Sequence, residues 1–514
     1  MKTSIFEHFV ETCEQKPHGI AIIDGEESIT FSMLSTEVLR ISNLLSKNDL
    51  KRNSVVGVYL NKSFKLIAAD LAIGSLSCAY MNLDPQGPVE RTKKIAVTVK
   101  PSIIITDTGG AIKLTNSIIG VPIIVIDPSL VSRIKHDDCV DSNIKNLKEI
   151  ATRVIDTDPH CVINTSGSTG IPKSVILNHR GFIDFVSWAC SSIGFPDKVV
   201  IGSLSPSVFD IFSFELCMLA LMGSCISLID EKLAAYPIRI LEDLERKKIS
   251  FVFWVPTIMV NIANLGLLEK FNLESLKLIW FAGEVFPGPA FNVWFKSLPG
   301  RVFVNLYGPI EITLDCSYHI VKSEIKSGCS IPIGRPCRNK EIILLTDSGS
   351  LANEGEIGEI CVRGTGLAMG YLNNPVKTSS AFVQNPLNDA YPELIYKTGD
   401  LACLEDGILW FKGRKDSLIK HMGYRIELGE IESCILSSLD DIKNVYVIYN
   451  ESSKEILAII EANSHEVVDR IRPAMSQLLP KYMLPRRYEV ISEMPMNKNG
   501  KIDRLRLKEL YGNN

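Results

Sequence analysis

"TSGSTGIPKS", residues 165–174, holds most of the ingredients of a P-loop and breaks its geometry. Against the template G-x-x-x-x-G-K-[ST], Gly167, Lys173 and Ser174 fall at the required distances, but the second glycine is replaced by Pro172. In a P-loop, successive backbone N–H groups cradle the phosphates. Proline has no N–H and fixes φ at about −65°. Thr165, Ser166, Ser168 and Thr169 nevertheless supply four hydroxyls within five residues, and Gly167 and Gly170 permit close backbone approach. CVIN (161–164) reads as a strand end. A strand followed by hydroxyls, glycine amides and one lysine predicts an anion cradle for a polyphosphate.

The flanking chain predicts an α/β architecture. Short apolar runs recur between polar or turn residues: GIAII (19–23), VVGVYL (55–60), SIIIT (102–106), PIIVI (122–126), VVIGSL (199–204), CISLI (225–229) and FVFW (251–254). Such runs fit strands buried on both faces, as in parallel sheets. Between them, residues 30–47 and 237–248 carry apolar positions at helical spacing, the second ending in a charged run, 245–248, that reads as a solvated helix end. Alternating strands and helices argue for mostly parallel sheets in a large N-terminal domain, residues 1–412. Residues 413–514 read as a small α+β domain: short strands, a hairpin and a helix within 407–436, then alternating strands at 444–450 and 456–462.

A chain of 514 residues is too long for one hydrophobic core. Hydrophobic residues make up 46% and charged residues 22%, as in ordinary soluble proteins. With 55 basic and 59 acidic residues the net charge is −4. That balance provides no footprint for nucleic acid and no attraction to membranes. Neither a secretory leader nor an apolar run of about 18 residues is found. The 13 cysteines lack a C-x-x-C pair and read as reduced thiols of a cytoplasmic protein. The eight histidines form no metal-spaced cluster.

Further stretches follow in a set order: LAIGSLSCAYMNLDP (71–85), FDIFSFE (209–215), NLYGPIE (305–311), GEICVRGTGLAMGYL (358–372), YKTGDL (396–401), GRKDSLIKHMGYRIELGEIE (413–432), LPKYMLP (479–485) and NGKIDR (499–504). With the 165–174 loop, they make the chain resemble the adenylate-forming superfamily, and within it the amino-acid adenylation domains of nonribosomal peptide synthetases. FAGEVFP (281–287) also resembles the D-alanine–carrier-protein ligases of teichoic acid synthesis.

The resemblance implies ATP and Mg²⁺. A substrate carboxylate attacks the α-phosphorus, pyrophosphate leaves, and a thiol captures the acyl-adenylate. Thr165, Ser166, Gly167, Ser168, Thr169, Gly170 and Lys173 form the phosphate loop. Glu311 is the metal carboxylate. Tyr307 stacks on adenine, with Asn305, Gly283 and Gly308 beside the nucleotide. Asp400 accepts the ribose hydroxyls, assisted by Arg414. Lys501 reaches between the substrate carboxylate and the nucleotide, which leaves Lys173, Glu311 and Lys501 as the catalytic set. Asp416 matches the family hinge, and 421–430 lines the thiol tunnel. One departure stands out: Ile310 occupies a position where the family usually has Thr.

The resemblance also places Asp210 against the substrate's α-ammonium, a charge that cannot be buried without a partner. Ile211, Phe214, Thr257, Trp280, Ala282, Leu306, Leu314 and Asp315 complete the pocket. Bulky Trp280 and Phe214 imply a small side chain. Asp315 offers a second acid, which leaves serine, alanine, glycine, a β-amino acid and a short diamino acid open. The chain ends soon after Lys501, so a separate carrier protein with a phosphopantetheine arm is the expected partner. A coenzyme A ligase is the rival enzyme; Asp210 and the lack of a basic cluster for a 3′-phosphate weigh against it. A non-catalytic nucleotide-binding module is the rival from another class, and the presence of Glu311 and Lys501 opposes it.

Overall fold

The computed structural model describes residues 3–126, 140–151, 154–166, 172–415, 418–439, 442–450, 453–495 and 502–512. Gly167, Ser168, Thr169 and Gly170 of the loop, the expected hinge Asp416, and Lys501 lie outside the described residues.

All seven apolar runs form strands: Ile20–Asp24, Val55–Tyr59, Ile103–Thr106, Ile123–Val125, Val200–Ser203, Cys225–Leu228 and Phe251–Trp254. They fall into two sheets of nine and seven strands whose central pairs are parallel, with antiparallel pairs toward the ends. Every residue of Ile103–Thr106, Cys225–Leu228 and Phe251–Trp254 is buried, as strands covered on both faces require. Ile123–Val125 departs from this because it is the edge of the seven-stranded sheet, where one side has no neighbour.

The helix at Phe31–Leu45 starts where the Thr30 hydroxyl accepts the Met33 amide at 3.2 Å. The helix at Pro237–Arg246 opens on a proline, whose missing N–H costs nothing in a first turn. Its charged end is solvated at Glu245, Arg246 and Lys248, while Lys247 folds back onto Asp243 at 3.2 Å and loses most of its exposure. A third, antiparallel sheet pairs Lys340–Leu345, Gly358–Gly364, Leu394–Glu405 and Phe382–Gln384, with Ile408–Arg414 added beside Leu394–Glu405.

The C-terminal part has its own hydrophobic core, drawn from Ile419 to Tyr488. It contains the hairpin Leu418–His421/Tyr424–Glu427, the helices Leu428–Ser438 and Val467–Leu478, and a sheet of Asn444–Asn450, Glu455–Glu461 and Arg487–Ile491. The two strands expected to alternate are instead buried along most of their length. A second small cluster around Ile448, Leu457, Met494 and Leu507 covers their other face.

In the nine-stranded sheet, Phe251–Trp254, Leu278–Phe281 and Val302–Tyr307 run parallel and side by side. Their carboxyl ends feed the loops at 255–257, 282–284 and 308–315, where ligands of open α/β sheets bind. The last of these loops is held by an unusual clamp. Thr313 and Leu314 both adopt positive φ, +54° and +63°, which is costly for a β-branched residue. The buried Lys340 ammonium donates to the carbonyls of Ile312, Thr313 and Asp315 at 3.0, 2.8 and 2.8 Å and lies 5.0 Å from the Phe185 ring centroid. Gly308 lets the two limbs of the loop touch, since a Cβ there would meet the Leu314 carbonyl at 2.4 Å. Lys340→Met strands three buried acceptors and is expected to lower stability by roughly 2–4 kcal/mol. Chemical denaturation and proteolysis at 312–315 measure this, and an unchanged midpoint would show that the loop holds itself.

Candidate active site

The loops at the sheet's carboxyl end meet the phosphate loop and the C-terminal hairpin around one cavity of about 150 Å³. Thr165, Ser166, Asp400 and Arg414 line it. Asp210, Ile211, Ala282, Gly283, Gly308, Leu314 and Asp315, expected beside substrate or nucleotide, line it as well. The hairpin contributes Lys420, Gly423, Tyr424 and Arg425.

Several expected residues are arranged as a network. The Tyr307 hydroxyl donates to Asp400 Oδ2 at 2.6 Å, Arg414 bonds the other Asp400 oxygen, and Asn305 donates to the Pro332 carbonyl at 2.8 Å. Lys420 lies over the Tyr307 ring, 5.8 Å from its centroid. Leu306 is buried in the core beneath. Phe214 and Trp280 do not line the cavity. They stack on each other at 5.6 Å inside a cluster with Phe185, Phe251 and Phe253 and form the backing of the wall. Thr257 is also turned away, bonding Glu284 through its amide at 3.1 Å and its hydroxyl at 2.5 Å.

Asp210 is the first residue of the helix Asp210–Met222, not its cap, and its Oδ1 accepts the Ile211 amide at 2.9 Å. Burial raises its acid to about 6, against the pull of that amide and of Lys420. Asp315 goes further, to about 8, through burial and the repulsion of Asp210, opposed by Lys340 and Lys420. The two acids thus separate into one that ionises readily and one that resists.

Glu311 is fully buried, and its oxygens are taken by the Tyr371 hydroxyl at 2.8 Å and the Arg425 guanidinium at 2.6 Å. Burial alone would raise its acid; Arg425, a backbone amide and the Tyr371 hydroxyl together outweigh it and hold the carboxyl below its ordinary value. Lys173 forms an ion pair with Glu427. The Ser166 hydroxyl bonds the Arg425 carbonyl and accepts the Glu427 amide at 3.2 Å. The phosphate-loop lysine and the expected metal carboxylate are therefore both engaged by one strand of the C-terminal hairpin. Further contacts secure it: Tyr424 stacks on Tyr482 at 3.4 Å and meets Phe209 edge-on at 4.8 Å, Gly423 donates to Glu284 at 2.8 Å, and Arg91 pairs with Glu430 at 2.5 Å.

Arg425, Glu427, Glu284, Tyr371, Lys340 and Lys420 were not singled out from the sequence. For Arg425 and Glu427 a signal existed. Two residues apart on a strand, they share one face, and they carry the charges opposite to Glu311 and Lys173. Lys340 has no such signal, because its three carbonyl partners come together only in the folded loop.

Among the described residues, no three His, Cys, Asp or Glu side chains gather as a metal site, and no helix is long and apolar enough to cross a membrane. A single buried carboxylate does fit Mg²⁺ arriving on phosphates, since that ion is usually held by one or two carboxylates plus the substrate's own oxygens.

Comparison with known proteins agrees with this geometry. Residues 9–372 match the AMP-binding enzyme family. Zwittermicin A synthase ZmaJ of Bacillus cereus is 30% identical over 98% of this chain and 94% of its own length. Gramicidin S synthase 1 of Brevibacillus brevis is 28% identical over 98% of this chain, which spans only 44% of that protein. The fold is shared with the Vibrio cholerae adenylation domain AlmE, solved with glycyl-adenosine-5′-phosphate, at a TM-score of 0.83 and 20% identity over 99% of this chain and 98% of that one. It is shared also with PA1221, which contains adenylation and carrier domains, at a TM-score of 0.81 and 22% identity over 99% and 84%. With Thr165, Ser166 and Asp210 lining one cavity and buried Glu311 paired to the cavity residue Arg425, the chain belongs to the AMP-binding enzyme family, as an adenylate-forming ligase of the nonribosomal-peptide adenylation type.

Proposed function

We propose that the chain activates a small amino acid as its aminoacyl-adenylate and passes the acyl group to the phosphopantetheine thiol of a carrier protein. The observation that carries this reading is Asp210: a carboxylate at a helix N-terminus, lining a cavity that Thr165 and Ser166 also line. An ammonium there has an ionised partner, and its own carboxylate is directed toward the nucleotide side. The narrow wall of Ile211, Ala282 and Leu314, backed by packed aromatics, supports a small side chain, as does the glycyl-adenylate held by AlmE.

In the first half-reaction a carboxylate oxygen of the amino acid forms a bond to the α-phosphorus as the bond to pyrophosphate breaks. Lys173, Thr165 and Ser166 bind the departing phosphates, and Lys501 holds the nucleophile against the phosphorus. Asp400 orients the ribose and Tyr307 the adenine. Mg²⁺, held through Glu311, supplies charge neutralisation when bound. The protein's part is positioning and charge, with no covalent step of its own.

The hairpin contacts support a second orientation for the thiol step. A cavity of about 150 Å³ is smaller than the 300–1,000 Å³ usual for ligand sites. The ion pairs of Arg425 and Glu427 claim Glu311 and Lys173. Nucleotide loading then requires the hairpin to withdraw, with the turn made at Asp416, between residues 1–412 and the mobile 413–514. The described cysteines are all free thiols, in keeping with a cytoplasmic setting.

Amino-acid-dependent ATP–pyrophosphate exchange over a panel with D-isomers and β-amino acids tests the reading, and exclusive use of D-alanine would favour the teichoic ligase. Because the ammonium needs ionised Asp210, with its acid near 6, kcat/KM is expected to be flat above about pH 7 and to fall about tenfold per unit below 6. Asp210→Ala removes activity with amino acids; deaminated analogues working as well as the parents would refute the assignment.

Two further outcomes concern the hairpin. Arg425→Met or Glu427→Gln frees the nucleotide site from competition, so Mg²⁺·ATP binds several-fold tighter while carrier loading falls at least about tenfold. Weaker nucleotide binding in both variants would remove the competition. Asp416→Pro leaves exchange near normal and blocks loading, and equal loss of both steps would instead signal misfolding.

A further inference from the structure

Asp315 is 4% exposed and lines the cavity, yet its carboxyl has no hydrogen-bond partner among the described residues. Its backbone carbonyl, by contrast, is gripped by Lys340 at 2.8 Å. Of the cavity's lining, Ile211, Phe253, Val255, Ala282 and Leu314 are apolar and have no side-chain donor to give the carboxyl. The loop is also built at a cost, since Thr313 and Leu314 hold positive φ and a buried ammonium is needed to pin them. Strain of this kind persists where the surroundings over-determine it. Here its result is to keep a carboxyl on the wall of the cavity that Asp210 also lines.

We infer that the substrate side chain ends in a hydrogen-bond donor, a hydroxyl or an amine, which Asp315 accepts while Asp210 holds the α-ammonium. This rests on the amino-acid reading above and narrows it: alanine, glycine and other apolar amino acids are disfavoured, and serine-like or short diamino acids are preferred. The separation of the two acids supports this division of labour. Asp210 is the one ionised for an ammonium at neutral pH. Asp315, resisting ionisation beside it, suits a hydroxyl in its neutral form and can pass its proton to a base such as an amine. Lys340 and Lys420 are the cations that face Asp315; Lys340 belongs to the sheet beneath the loop, and Lys420 is brought by the hairpin.

The test is exchange with the full chain on matched pairs: serine against 2-aminobutyrate, which swaps the hydroxyl for a methyl, and 2,3-diaminopropionate against 2-aminobutyrate. The donor is expected to exceed its apolar partner by on the order of 10²-fold or more in kcat/KM, because a site built to bond a donor rejects the analogue that lacks it. A serine preference identifies a hydroxyl and a diaminopropionate preference an amine; either supports the inference. Asp315→Leu should abolish the preference and raise use of 2-aminobutyrate, and Asp315→Asn should retain part of it for serine. The unsubstituted protein decides even where neither variant folds. A best substrate without a side-chain donor, or 2-aminobutyrate within about threefold of serine and diaminopropionate, overturns the inference and leaves amino-acid activation standing. Exchange driven equally by deaminated acids would overturn both.

Discussion

Glu311 is a fully buried carboxylate that must have a counter-charge wherever the C-terminal part stands. In this structure Arg425 provides it, from a segment over a hundred residues away. Removing one partner of such a pair leaves an uncompensated buried charge worth roughly 3–5 kcal/mol. The hairpin therefore cannot simply drift off: something cationic has to take the place of Arg425. On the proposed function that is the metal carried by ATP, and the exchange of one cation for another links nucleotide binding to domain position. Lys173 and Glu427 make the same argument with the signs reversed.

The substrate side obeys a related rule. Two acids sharing a low-dielectric cavity cannot both ionise freely, so their environments push them apart. Asp210 has the helix N-terminus and its amide to stabilise charge. Asp315 lies on a strained loop with only lysines at a distance to help it. One cavity thus has two differently tuned carboxyls, a division that neither residue could produce alone.

Much of this was legible in the sequence, for identifiable reasons. The apolar runs form strands because strands covered on both faces need uninterrupted side chains, and the motifs lie at strand ends where ligands bind. Depth was not legible. Phe214 and Trp280 occupy wall positions by motif, but the packing of five large rings draws them behind it. Partnership was not legible either. Lys173 and Glu427 are separated by 254 residues, and a lone Lys340 in RNKEIILL gives no hint that three carbonyls will converge on it.

The strand Tyr424–Glu427 shows how the hairpin is specified as well as attached. Side chains alternate along a strand, so Arg425 and Glu427 face the phosphate loop while Ile426 turns back into the C-terminal core, where it is fully buried. A slip of one residue would present Ile426 to Glu311 and bury Arg425 among aliphatic side chains, an exchange that loses both ion pairs and the packing together. Charge order adds a second check. Arg425 next to Lys173, and Glu427 next to Glu311, would repel, so a reversed approach is excluded as well. One short strand, read with period two and two signs, therefore admits a single docked register, which on the proposed function is what a hairpin leaving and returning between two half-reactions requires.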